Sequence, residues 1–100
     1  MATDDYKRFV ILLSHTGKPF TETVIRAHVQ HLRQLDQEGK LILCGPFLDH
    51  KGGMVILKAM SHEEALAIAA QDPFVVEGFE TCEVRTWQLS CEENNHLGMG

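Results

Sequence analysis

Two side chains carry the best case for chemistry in this chain. Asp72 closes the short Ala-rich segment 61–71, directly before Pro73 and Phe74, and His28 lies in an amphipathic stretch upstream. A helix C-terminus bears partial negative charge, so a carboxylate there needs a cation, a donor or a proton facing it. Asp72 also follows Ile68 by four positions and Ala69 by three, which continues the apolar face of Ala65, Ile68 and Ala69 and turns the carboxylate inward. Desolvation plus one chosen partner is how an acid or base with shifted acidity is built. The plainer role, capping or turning the chain before Pro73, suffices for Asp72 taken alone.

On a helical wheel of about 100° per residue, His28 falls inside the arc bounded by Val24 and Val29, between Leu35 and Leu32. It interrupts a buried face. A lone histidine there is ordinarily neutral and bonded to a backbone carbonyl, but a carboxylate within reach changes the reading. An Asp that orients an imidazole fixes its tautomer and supports it as a general base near neutral pH. No serine or cysteine stands beside the pair as a nucleophile, so proton transfer is favoured over covalent catalysis.

The other histidines have duller expectations: His15 and His50 fall in loops, His62 in an exposed first helical turn and His96 in the tail, while His31 sits at the edge of the apolar arc. His28 and His31 share an i, i+3 spacing, but two ligands are too few for a metal site. Neither a metal nor an organic cofactor is expected.

These residues need elements to position them. The apolar run 9–13 suits a strand, ended by Gly17-Lys18-Pro19. A helix follows, capped by Thr21 or Thr23, with Val24, Ile25, Val29, Leu32 and Leu35 at helical spacing until Gly39. Strands at 41–44 and 54–57, joined through Gly45-Pro46 and Gly52-Gly53, read as an antiparallel hairpin with a long loop. Ser61-His62-Glu63-Glu64 carries a capping-box pattern for a second helix, and 80–89 alternates as a last strand. The order β-α-β-β-α-β predicts an α+β, ferredoxin-like sandwich, an antiparallel sheet with both helices on one face. Residues 1–90 form the domain, and 91–100, polar and Gly-rich, read as a flexible or partner-ordered C-terminal tail.

One hundred residues, 44% hydrophobic with three prolines, make one globular domain with little interior to spare. The first strands are apolar at successive positions, although helices on one face cover only alternate side chains. The least demanding cover for the second face is the same face of another copy, so a homodimer is expected. The net charge of -5, without a Lys/Arg cluster among aromatics, argues against nucleic acid. No stretch approaches the roughly 18 apolar residues of a membrane span. Cys44, Cys82 and Cys91 are an odd count without CxxC spacing, and no signal peptide is visible, which predicts a soluble, cytoplasmic protein with reduced thiols. Cys44 and Cys82 read as small core residues.

Over residues 9–87 the chain resembles the YciI-like family, the YCII-related domain. The resemblance rests on His28-Val29, Leu32, Leu35, Gly39-Lys40-Leu41 and Gly45-Pro46; on Ser61, Glu63-Glu64-Ala65 and Asp72-Pro73-Phe74; and on Gly78 followed by Glu83-Val84-Arg85-Thr86-Trp87. It implies a dimeric α+β barrel with an acid-base pair at His28 and Asp72. Many relatives carry Arg three residues before that His, where this chain has Ile25, with Arg26 one place later.

The expected function is a small enzyme without cofactor, of lyase or isomerase type, moving a proton on a small cyclic or unsaturated acid through His28 oriented by Asp72. Gly45, Pro46, Pro73, Phe74 and Phe79 are expected to line its pocket. The alternative is a non-catalytic dimeric module that binds or senses a small ligand, with His28 and Asp72 as a polar lock.

Overall fold

Alternation along the first strand decides how the sheet is covered. In β1 (Lys7–His15) the side chains of Phe9, Ile11 and Leu13 are buried, while Val10 and Leu12, on the other face, are only partly so. The structure, a computed structural model, describes residues 6–98. After β1 come α1 (Glu22–Gln37), β2 (Leu41–Pro46), β3 (Gly52–Leu57), α2 (His62–Gln71), the single turn α3 (Pro73–Val76) and β4 (Glu80–Gln88). The strands pair antiparallel throughout in the order β2-β3-β1-β4, which is the expected ferredoxin-like α+β arrangement.

The helix boundaries follow local chemistry. Thr21, with extended backbone, accepts the Val24 N–H and opens α1, and Gly39 after its end takes φ +73. Ser61 caps α2 by accepting the Glu64 N–H. The continuous core joins Phe9, Ile11 and Leu13 of β1 to Val55 and Leu57 of β3, Val84 of β4, Leu35 of α1, and Ala65, Ile68 and Ala69 of α2. A second cluster, Val24, Phe74 and Phe79 with Phe20 against it, fills the end where α1 meets α3.

The opposite sheet face carries Val10, Leu12, Leu43, Met54, Ile56 and Trp87, of which Leu43 and Trp87 are 66% and 43% exposed. Beyond β4, Asn94 ties the terminal segment to itself. Its side chain donates to the Leu89 carbonyl at 2.7 Å and accepts the Cys91 and Leu97 N–H groups, both at 3.1 Å. Residues 99 and 100 of the expected tail lie outside the described residues.

Candidate functional site

Asp72 resolves its own electrostatic problem by belonging to two helices at once. It ends α2, with its N–H donating to the Ala69 carbonyl at 3.2 Å, and it caps α3, whose Phe74 N–H donates to Oδ1 at 2.9 Å. The capping role is therefore real, and it leaves room for another. His28 Nδ1 lies 2.9 Å from Oδ1 and 3.0 Å from Oδ2. A carboxylate only accepts, so Nδ1 carries the hydrogen and Nε2 is the nitrogen left for other partners. Asp72 is 3% exposed, and the His28 imidazole lies flat on the Phe74 ring, 4.0 Å between centroids at 11°. Carboxylate, helix cap and aromatic shelf together restrict the imidazole to one orientation.

His28 borders a cavity of about 560 Å³ between α1 and the helix-covered face of the sheet. Its lining is mainly apolar, with Phe20 and Phe74 as an aromatic wall, and no Lys or Arg contributes. Gly45, Pro46, Gly52 and Gly53 form the sheet-side boundary. A Cβ on Gly52 would collide with the Leu13 carbonyl, and one on Gly53 would come 2.8 Å from the Gly45 carbonyl oxygen. A side chain at either position would force the neighbouring strand backbone away.

Gly45, Pro46 and Phe74 line this cavity. Pro73 and Phe79 do not line it: Pro73 is the first residue of α3, a position suited to a residue without an N–H, and Phe79 packs behind Phe20 at 5.7 Å. Cys44 is exposed on edge strand β2 and lines the cavity instead of entering the core. Cys82 is half-buried, and burial pushes its thiol pKa up.

His15 is the main correction. It is the last residue of β1, not a loop residue, and its Nε2 lies 3.1 Å from Oε2 of Glu80, the first residue of β4 and only 5% exposed. Both side chains line the cavity. Burial, reinforced by the charge of Asp72 and opposed by His28, pushes the Glu80 carboxyl above the usual carboxylate range. The signal was in the sequence: the period-two run Phe9, Ile11, Leu13 continues to His15, and Val84, Cys82 continues back to Glu80.

The remaining histidines take lesser places. His62 Nδ1 pairs with Thr86 Oγ1 at 2.8 Å, His50 packs at 6.3 Å from Phe47 in the β2–β3 loop, and His96 Nδ1 lies 3.4 Å from Ser90 Oγ. His31 is half-buried beside the pair. Burial lowers its pKa, with the Asp72 charge opposing and His28 adding to the effect. Among the described residues, no three His, Cys, Asp or Glu side chains are grouped to hold a metal ion. None of their helices is long and apolar enough to cross a membrane.

The pattern of the YCII-related domain matches residues 8–88. The chain belongs to this family. It is 32% identical over 79 residues to the uncharacterized protein YjpA of Bacillus subtilis strain 168, covering 79% of this chain and 93% of that one. Among solved structures it is similar to 5-chloro-2-hydroxyhydroquinone dehydrochlorinase (TftG) from Burkholderia phenoliruptrix AC1100 in complex with 2,5-dihydroxybenzoquinone. The TM-score is 0.66 at 23% identity, over 88% of this chain and 99% of that one. At that identity the likeness establishes the shared α+β ferredoxin-like fold.

Proposed function

We propose that this member of the YCII-related family is a small-molecule lyase or isomerase in which His28 is the general base and Asp72 its orienting partner. The observation that carries the proposal is the His28 Nδ1 contact to both Asp72 oxygens at the wall of an apolar cavity. With Nδ1 committed to the carboxylate, Nε2 is the basic atom offered to a ligand. It takes a proton from a carbon beside a carbonyl, and the released pair forms the new double bond. The proton then returns at another position, or a leaving group departs with its bonding pair. The cavity volume lies within the range that holds a single small molecule.

The substrate class is a small ring compound with acidic hydroxyl or carbonyl oxygens. Phe20 and Phe74 give the lining an aromatic wall suited to a ring, while the lack of Lys and Arg there disfavours a phosphate. The dehydrochlorinase named above, whose ligand is 2,5-dihydroxybenzoquinone, supplies a precedent for ring chemistry on this fold. We infer further that a second copy covers the open sheet face, since Leu43, Trp87 and their neighbours leave an apolar surface there.

The test is a panel of hydroxylated and carboxylated ring compounds screened by thermal shift, with product analysis of each stabilising compound. Turnover that disappears in His28→Gln supports the reading. Binding without turnover by any hit replaces the enzyme with a ligand-binding module, and undiminished turnover in His28→Gln refutes the assigned base.

A further inference from the structure

The cavity holds a second histidine–carboxylate pair that the proposed base does not use. His15 and Glu80 face each other across the β1–β4 register, and the imidazole is 30% exposed while the carboxylate side chain is 4% exposed. An aromatic chain connects this pair to the first. His15 meets Phe20 edge-on at 4.7 Å, Phe20 stacks on Phe74 at 4.7 Å, and Phe74 stacks on His28 at 4.0 Å. Two phenyl rings therefore lie between the imidazoles, and both imidazoles border the same cavity.

The two ends are not equivalent. Asp72 has its oxygens committed to His28 and to the Phe74 N–H. Among the described residues, the Glu80 carboxylate has His15 Nε2 as its contact and no backbone donor comparable to the Phe74 N–H. Burial and the nearby charge of Asp72, opposed by His28, raise the Glu80 pKa, and the imidazole in contact offers a path for a proton to reach the cavity.

We propose that His15 and Glu80 are the proton-donating end of the site, protonating a ring oxygen or a leaving group while His28 removes a proton at the other end. The inference rests on the reading of His28 as base. In an elimination, His28 Nε2 takes the substrate proton and the C–H pair becomes the new π bond. The bond to the leaving group breaks with its pair, and the leaving group accepts the proton of the His15–Glu80 pair. In an isomerisation the same proton goes to the carbonyl oxygen as its π pair moves there. No electrons are gained or lost overall.

The probe is 2,5-dihydroxybenzoquinone, with two readouts on the full chain. Imidazole nitrogen–proton NMR of ¹⁵N-histidine protein follows both sites, and ring-proton exchange with D₂O follows proton transfer. Movement of both the His15 and His28 signals, with exchange lowered on the order of 10²-fold in Glu80→Gln, supports the proposal. His15→Gln should lower exchange comparably, and thermal midpoints no lower than wild type in both variants separate proton donation from folding. A response at His28 alone, or wild-type exchange in Glu80→Gln, overturns the second pair and leaves the base standing. No response at either histidine refutes the reading of the cavity itself, and the donor role with it.

Discussion

Asp72→Asn separates the structural work of this carboxylate from its proposed chemical work. The substitution keeps size and an oxygen that can still accept the Phe74 N–H, so the cap of α3 survives. What changes is the face toward His28. An amide NH₂ would confront Nδ1–H, donor against donor, and the conflict is relieved when the imidazole moves its hydrogen to Nε2 and Nδ1 accepts from the amide. One charge-assisted buried bond becomes a neutral one, a loss of about 1–3 kcal/mol. For a domain of this size that lowers the thermal midpoint by roughly 4–8 °C per kcal/mol. Turnover responds far more strongly, because a hydrogen on Nε2 removes the lone pair offered to the cavity, and a drop of at least about 10²-fold is expected. ¹⁵N NMR of the histidines reads the tautomer, and chemical unfolding reads the stability. A His28 that stays protonated at Nδ1 in a variant with near-wild-type turnover would refute the reasoning, as would a loss well beyond 3 kcal/mol, which would make Asp72 chiefly structural.

Further outcomes follow from other contacts. Light scattering at micromolar concentration should give twice the 11.2 kDa chain mass, and a stable monomer would leave the apolar outer face of the sheet unexplained. Gly52→Ala should destabilise by about 3 kcal/mol, the upper range for overpacking, because its Cβ meets the fixed carbonyl of Leu13; a midpoint in urea equal to wild type would contradict the close approach. Glu80 sets a pH dependence: its folded pKa is raised, so its contribution is full below about 4.5, the ordinary Glu value, and declines as pH rises through the folded pKa. The stability of wild type relative to Glu80→Gln should therefore fall from pH 4 upward, with His15, His28 and Asp72 as the facing titratable groups, and a difference that grows with pH would overturn the sign.

Periodicity made the architecture legible. Alternation in β1 and β4 and the helical repeat through Val24, Leu32 and Leu35 are each strong enough to name the element, and Thr21, Ser61 and Gly39 mark its ends. The site was half legible. Helical phase turned His28 and Asp72 inward, but α3 was hidden because Pro73-Phe74-Val75-Val76 is too short to show a repeat. That hidden turn explains both surprises near it: it carries Phe74 against His28, and it leaves Phe79 behind Phe20 instead of at the cavity. His15 was missed because a strand was ended where its continuous apolar run stopped. Hydrogen bonding along β1 continues to the His15–Glu80 pairing, and only the two-residue period, followed past Leu13, reveals that the next inward side chain is polar.

The position of Asp72 also bears on why a carboxylate, and not another acceptor, occupies this junction. Asn or Ser would cap α3 as well, since either offers an oxygen to the Phe74 N–H. Neither supplies two negatively charged oxygens to one imidazole nitrogen. A neutral cap would also avoid the unfavourable field at the end of α2, worth about 0.3–1 kcal/mol. The carboxylate is therefore the more demanding choice for folding alone, and the feature that offsets its burial is His28. The partner histidine is in turn held 15% exposed at a cavity wall, where a leucine would pack without any need for a partner. Each residue of the pair is understandable through the other: the α3 cap needs only an acceptor oxygen at position 72, not its charge, and α1 does not need an imidazole at position 28. The charge on Asp72 and the imidazole of His28 thus exceed what the cap of α3 and the packing of α1 require, and this excess is what the Asp72→Asn comparison of turnover with stability measures.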